Sequence, residues 1–158
     1  MQKRKDLSTS EIRQKIYRYC AYQERSHLEV KNRLLELGAS TEFADEILSE
    51  LITQGFLNEE RFACAYAGGK FRLKSWGRLK ITRALESKGL TSNCIKAGLK
   101  EINDEAYRKT IVGLIEKKAE QLTDSDLFKR REKVANYLIQ KGFEPDLVWE
   151  IIKGENIF

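Results

Sequence analysis

Three glycines constrain this chain more than any other feature. Gly38, Gly89 and Gly142 each follow an amphipathic stretch, and aligning them brings apolar residues into common register. Eight positions before each glycine stand Val30, Ile81 and Val134, and four positions before stand Leu34, Leu85 and Leu138. Positions separated by four share one helical face, so each glycine ends a helix with a buried stripe. The register continues past the glycine. Ala39, Leu90 and Phe143 come one position later; Ala44, Ile95 and Val148 six later; Leu48, Leu99 and Ile152 ten later. The glycines are 51 and 53 residues apart, which gives a repeating unit of about fifty residues and about three helices.

Helix punctuation supports this division. Ser8 with Glu11 and Ser26 with Glu29 have capping-box spacing, and Asn58 and Asn103 are each followed by two acidic residues that suit a positive helix end. Gly38, Gly55, Gly89 and Gly142 fall where left-handed C-caps are needed. The one proline, Pro145, suits the first turn of a final helix. Extended alternating runs of β-branched or aromatic residues are absent, so a sheet has little support. The expected fold is all-α: three tandem three-helix, helix-turn-helix-like repeats forming an elongated, curved rod. The units are placed at residues 8–54, 58–102 and 103–153, the second being basic.

Composition narrows the function. Cys20, Cys64 and Cys94 are widely spaced, contain no Cys-x-x-Cys pair, and read as buried thiols in a reducing compartment. His27 is the only histidine, which leaves little material for a histidine metal site or a Ser-His-Asp relay. It follows the Ser26 cap position and reads as exposed and without a specific role. No apolar run approaches a membrane span, and residues 1–10 lack a secretion-type apolar stretch, so a cytoplasmic address and no membrane partner are expected. No catalytic set, cofactor site or metal site is legible, and an enzyme is the weakest class.

The net charge is +5, and its placement says more than its size. Between Lys70 and Lys88 stand seven cations, Lys70, Arg72, Lys74, Arg78, Lys80, Arg83 and Lys88, against one anion, Glu86, a net of +6. Solvated helices usually interleave both signs, as Glu11 and Lys15 do, and this segment does not. On a helix beginning near Trp76, Lys80 and Arg83 lie on one side, Arg78 close by, while Ile81 and Leu85 enter the core. Trp76 has two open readings, a stacking or docking ring and a packing residue. Phe62, Tyr66, Gly69 and Leu73 read as the buried seam of the preceding helix. A second patch, Lys129, Arg130, Arg131 and Lys133, is partly offset by Asp124, Asp126 and Glu132.

The stretch Gly55-Phe56-Leu57-Asn58-Glu59-Glu60-Arg61-Phe62-Ala63 resembles the signature joining the first and second repeats of the RecX family. Lys74 to Ile81, running into Leu85-Glu86-Ser87-Lys88-Gly89-Leu90, resembles that family's second-repeat pattern, and Tyr137 to Phe143 resembles its third. Asn58, where the family commonly has an acidic residue, and Trp76, where a serine or proline-like position is more usual, depart from it. The resemblance implies a three-repeat regulator without a cofactor, acting on the RecA nucleoprotein filament. Such a protein binds in the filament groove, hinders extension or activity, and restrains strand exchange and the damage response. Its expected partners are the RecA filament and single-stranded DNA, with double-stranded DNA as a further candidate, and it is expected to be a monomer. Lys70, Arg72, Lys74, Trp76, Arg78, Lys80, Arg83 and Lys88 are the candidate contacts.

Two rival functions remain open at this level. A helix-turn-helix regulator reading duplex sequence is opposed by the helix after Gly89, which offers only Asn93 and Lys96 early on. A helical-repeat scaffold whose basic stripe meets an acidic protein is opposed by nothing in the sequence.

Overall fold

The computed structural model describes residues 6–123, 125–155 and 157–158. The sequence readings that used residues 1–5 and Asp124 lie outside the described residues. The described residues contain nine helices and no strand: α1 Thr9–Tyr22, α2 His27–Glu36, α3 Thr41–Thr53, α4 Glu59–Lys74, α5 Arg78–Ser87, α6 Ser92–Leu99, α7 Asp104–Gln121, α8 Leu127–Gln140 and α9 Pro145–Gly154.

The helices start and stop for local reasons. The Ser8 hydroxyl accepts from the Glu11 amide, the Asn58 and Asn103 carbonyl groups accept from the Arg61 and Ala106 amides, and Ser26 with Glu29 closes a full capping box. Gly38, Gly55, Gly89 and Gly142 adopt φ of +97°, +79°, +80° and +95°. After each of them the next residue's amide returns to a carbonyl five positions back, as Ala39 does to Leu34 at 3.0 Å and Phe143 to Leu138 at 3.2 Å.

Most of the aligned apolar positions are buried, while Ala39, Leu48 and Leu99 are half-buried against the core. Val30, Ile81, Val134, Leu34, Leu85 and Leu138 are each 0% exposed. They do not form one core. Ile12, Ile16, Val30, Leu34, Ala44, Ile47, Leu51 and Leu57 make one cluster from α1–α3, while a second runs from Phe62 to Ile152 through α4–α9. The chain exposes 10300 Å², where a compact monomer of 18.3 kDa exposes about 8,100 Å² by size scaling. The excess agrees with units set in series.

Two readings of side chains need correction. The buried seam of α4 is Phe62, Ala63, Ala67, Gly68 and Phe71, while Tyr66 and Gly69 are half-buried and Leu73 is 84% exposed. The helix turns its smallest residues inward because α6 lies almost in contact: a Cβ on Gly98 would fall 2.7 Å from the Ala63 carbonyl oxygen. Bulk at positions 66 and 73 is therefore pushed outward. Cys20 is buried, but Cys64 and Cys94 are only half-buried. Burial pushes the Cys20 thiol up to about 11 and raises that of Cys64, so both stay protonated near neutral pH.

The joints between units differ in construction. Where α5 meets the α8–α9 turn, the Gly77 amide donates to the Lys141 carbonyl at 2.8 Å and the Leu79 amide to the Gly142 carbonyl at 2.9 Å. A Cβ on Gly77 would lie 2.2 Å from the Gly142 carbonyl carbon, and one on Gly142 would lie 2.3 Å from Lys80 Cβ. Beneath this contact Tyr107 is packed between Phe71 and Phe143, with ring centroids 5.7 and 5.2 Å away. Its hydroxyl donates to Glu144 and accepts from the Arg78 amide. Burial, then the hydrogen bond to Glu144, raises the phenol well above its usual range and keeps it a donor.

Between the first and second units the contacts are made by charged and polar side chains. Arg61 Nε lies 2.6 Å from Glu24, His27 Nδ1 lies 2.7 Å from Glu59, and Lys88 Nζ lies 2.7 Å from Glu29. His27 is thus half-buried in a joint rather than exposed and idle. Its partner stands 32 positions away and comes beside it only once the turn at Gly55 has been made.

Candidate partner and nucleic-acid interface

The candidate contacts come from two helices and the tight turn joining them. The last turns of α4 carry Lys70, Arg72 and Lys74; α5 carries Arg78, Lys80 and Arg83, and Lys88 is its C-cap. At the end of α4, Ser75 takes a left-handed φ of 53°, and the Trp76 amide turns back to the Lys70 carbonyl at 3.2 Å. That reversal lays the indole beside α4 instead of letting it project along the helix axis.

The result is an alternation of ammonium groups and rings. Lys80 Nζ sits 4.5 Å from the Trp76 ring centroid and Lys70 Nζ sits 4.9 Å from the same ring. Lys70 is also 5.4 Å from the Tyr66 ring, whose other neighbour is Lys88 at 5.6 Å. The order is Lys80, Trp76, Lys70, Tyr66, Lys88. Trp76 is half-buried and packs against the second core cluster, so its packing role is real and its ring is still reached by two cations.

Charge neutralisation divides the eight residues. Arg78 is held internally, 2.5 Å from Asp104 and 3.2 Å from Glu144, with its guanidinium 3.9 Å above the Tyr107 ring. Lys88 is held by Glu29. Lys70, Arg72, Lys74, Lys80 and Arg83 make no ion pair among the described residues. Arg72, Lys74 and Arg83 are exposed, while Lys70 and Lys80 are half-buried over their rings.

Two neighbours were missed by reading the sequence. Lys141, from the α8–α9 turn, donates to the Lys74 carbonyl at 3.2 Å and so adds a cation from the third unit. The signal was present in the repeat, since Lys141 precedes Gly142 as Lys88 precedes Gly89. Leu73 was assigned to the core, and instead it lines a shallow groove of about 220 Å³ with Ala65, Tyr66, Gly69, Lys70 and Lys74. The second basic patch lies apart on α8, where Arg130 and Arg131 approach the Phe158 ring at 5.5 and 5.7 Å. Among the described residues, no group of three or more His, Cys, Asp or Glu is placed to hold a metal ion, and no helix is long and apolar enough to cross a membrane.

Comparison with known families decides the relationship. The model of the second three-helix domain of RecX matches residues 58–99, and that of the third three-helix domain matches residues 105–152. The chain belongs to the RecX family. Together the RecX models span more than half of it, including the ring-and-ammonium alternation and the Gly77–Gly142 contact. The Regulatory protein RecX of Clostridium perfringens (strain 13 / Type A) is 30% identical over 131 residues, which cover 82% of this chain and 61% of that protein. The Regulatory protein RecX of Bacillus mycoides (strain KBAB4) is 25% identical over 130 residues, 82% of this chain and 48% of that protein. The chain thus spans about half to three fifths of the length of these curated RecX relatives. The crystal structure of RecX from Lactobacillus salivarius matches with a TM-score of 0.85 at 25% identity, covering 95% of this chain and 97% of that one. The all-helical fold follows from these matches.

Proposed function

We infer that this chain regulates homologous recombination by binding RecA nucleoprotein filaments, mainly restraining strand exchange and the damage response that depends on them. It acts without catalysis, as a cytoplasmic monomer, through the second unit. The observation that carries the reading is the set of five cations on that unit, Lys70, Arg72, Lys74, Lys80 and Arg83, which have no acidic partner among the described residues. Elsewhere some cations, such as Arg13, Lys31, Arg61 and Arg108, are paired with acids of the same chain and others, such as Lys15, Arg18 and Lys109, are not, so what sets the five apart is their clustering within residues 70–83. An extended helical protein with an unneutralised middle suits a long anionic assembly, and a DNA strand offers one negative charge about every 3.4 Å. The rival duplex-reading function is disfavoured by α6, the helix after the Gly89 turn, which is eight residues long and packs Ile95 and Gly98 against its own unit.

Co-sedimentation with RecA assembled on single-stranded DNA, run beside RecA alone and DNA alone, tests the reading. The chain should pellet with the assembled filament and be released as salt rises. Equal recovery whether or not RecA is assembled would sink the filament as its target.

A further inference from the structure

We propose that the alternation of lysines and aromatic rings on the second unit is a track for single-stranded nucleic acid, in which Trp76 stacks on a base and Lys70 and Lys80 take the phosphates on either side. The assignment rests on the reading above for the anionic character of the partner, and it names which part of that partner this face touches. Single strands are bound by surfaces that pair a cationic path with aromatic faces, because every base has a π face and every linkage a charge. Lys80, Trp76, Lys70 and Tyr66 supply those two elements in alternation, with successive separations of 4.5, 4.9 and 5.4 Å.

The lysines stand ready for release. Neither has an acidic partner among the described residues, and each is held near a ring only by a cation–π contact, which is weak at a partly exposed site. A phosphate offers each ammonium a stronger, charge-assisted contact, and the flexible lysine stem lets it swing off the indole to make room for a base. Leu73, 84% exposed, and the groove it shares with Ala65 and Gly69 extend the apolar floor next to the Tyr66 ring. The track ends at Lys88, which Glu29 already neutralises. A duplex fits less well, since its base faces are buried in its own stack. An acidic protein segment would satisfy the lysines but would leave the indole and Leu73 without a matching surface.

Trp76 and Trp149 are the two tryptophans of the chain, so Trp149→Phe leaves Trp76 as the sole indole reporter. This variant of the full chain is titrated with a single-stranded thymidine oligomer, without RecA, and Trp76 fluorescence is followed. Saturable quenching is expected, with a log–log salt slope of about −1.4 to −2.8 for two to four phosphate contacts. In the otherwise unaltered chain, Trp76→Ala should raise Kd about tenfold, as loss of one base–aromatic stack does. Lys70→Gln with Lys80→Gln should weaken binding similarly and flatten the salt slope by about 1.4. Since Trp76 also packs on the core, the double lysine variant, at half-buried positions outside the buried core, keeps the test valid if Trp76→Ala unfolds. Unchanged affinity in the lysine variant, or equal quenching by a matched duplex or by an acidic peptide, overturns the proposal. Wild type that pellets with RecA filaments yet shows no quenching on the bare strand overturns the track alone. Quenching without pelleting overturns the filament reading and leaves the track standing.

Discussion

Between the second and third units the backbone of Gly77 rests on the backbone of Gly142, over a core that runs unbroken from Phe62 to Ile152. Between the first and second units the joint is made by Glu24 with Arg61, His27 with Glu59 and Glu29 with Lys88, and the cores on its two sides are separate. The first kind of joint combines apolar burial with backbone hydrogen bonds and is insensitive to salt. The second rests on polar side-chain contacts, among them the partly exposed ion pairs Arg61–Glu24 and Lys88–Glu29, each worth about 0 to 1 kcal/mol and screened by salt. The unneutralised cations lie on the stiff side. The proposed binding face, spread over α4, the turn and α5, keeps its geometry because the turn itself is clamped to the α8–α9 turn.

The largest effect expected from this contrast is at the glycine contact. Gly77→Ala forces a Cβ to within 2.2 Å of backbone that has no side-chain freedom to yield. Chemical denaturation should report a loss of about 3 kcal/mol or more, in the range of severe core disruption. A loss below about 1 kcal/mol would mean that the two units are not clamped there. Next comes Tyr107→Phe, which removes the hydroxyl that joins Arg78 of the second unit to Glu144 of the third. It leaves a half-buried amide without this partner and Glu144 with one hydrogen bond fewer, so about 1 kcal/mol should be lost in the same assay. A neutral result would show that water replaces the hydroxyl.

At the ionic joint the effect should be smaller and of another kind. Arg61→Ala removes the pair with Glu24 and the 3.1 Å hydrogen bond to the Gly55 carbonyl, both at an exposed side chain. A stability loss of about 1 kcal/mol or less is expected. Hydrogen exchange should quicken at the N-terminal turn of α4 while α7–α9 stay protected. Slower exchange at the joint, or a loss shared equally with α7–α9, would show that the two joints are one cooperative structure. The smallest effect is in overall shape. The radius of gyration should exceed the value of about 15 Å given by compact scaling for this length, and should grow slightly in high salt as the ionic joint loosens.

The same contrast explains what could be read from the sequence. The apolar register around Gly38, Gly89 and Gly142, the Ser26 capping box and the left-handed glycines are local or periodic signals, and the structure follows them. The α4 seam was misread because residue size alone suggested Phe62, Tyr66 and Leu73, whereas the close approach of Gly98 to Ala63 decides which face turns inward. The site was legible as a concentration of charge, not as an arrangement. Which cations are neutralised depends on Glu29, Asp104 and Glu144, acids from other units. The stacking of Lys70 and Lys80 over Trp76 depends on the reversal at Ser75, and no sequence pattern marks serine for a left-handed turn. His27 and Lys141 act across joints, where spacing along the chain carries no information.

The central claim is that the unneutralised face of the second unit holds the filament. Strand exchange by RecA, measured with the variant Lys80→Glu plus Arg83→Glu, tests it most directly. Arg83 is exposed and Lys80 half-buried with no ion pair among the described residues, so charge reversal should shift stability by less than about 0.5 kcal/mol per site. Leu85→Ala, at a fully buried position on the same helix, serves as the stability control and should cost roughly 2 to 5 kcal/mol. The account predicts that the double reversal melts like the unaltered chain and no longer restrains strand exchange. Restraint at unchanged protein concentration by that well-folded variant would contradict it, and would move the search to Lys129, Arg130, Arg131 and Lys133 on α8.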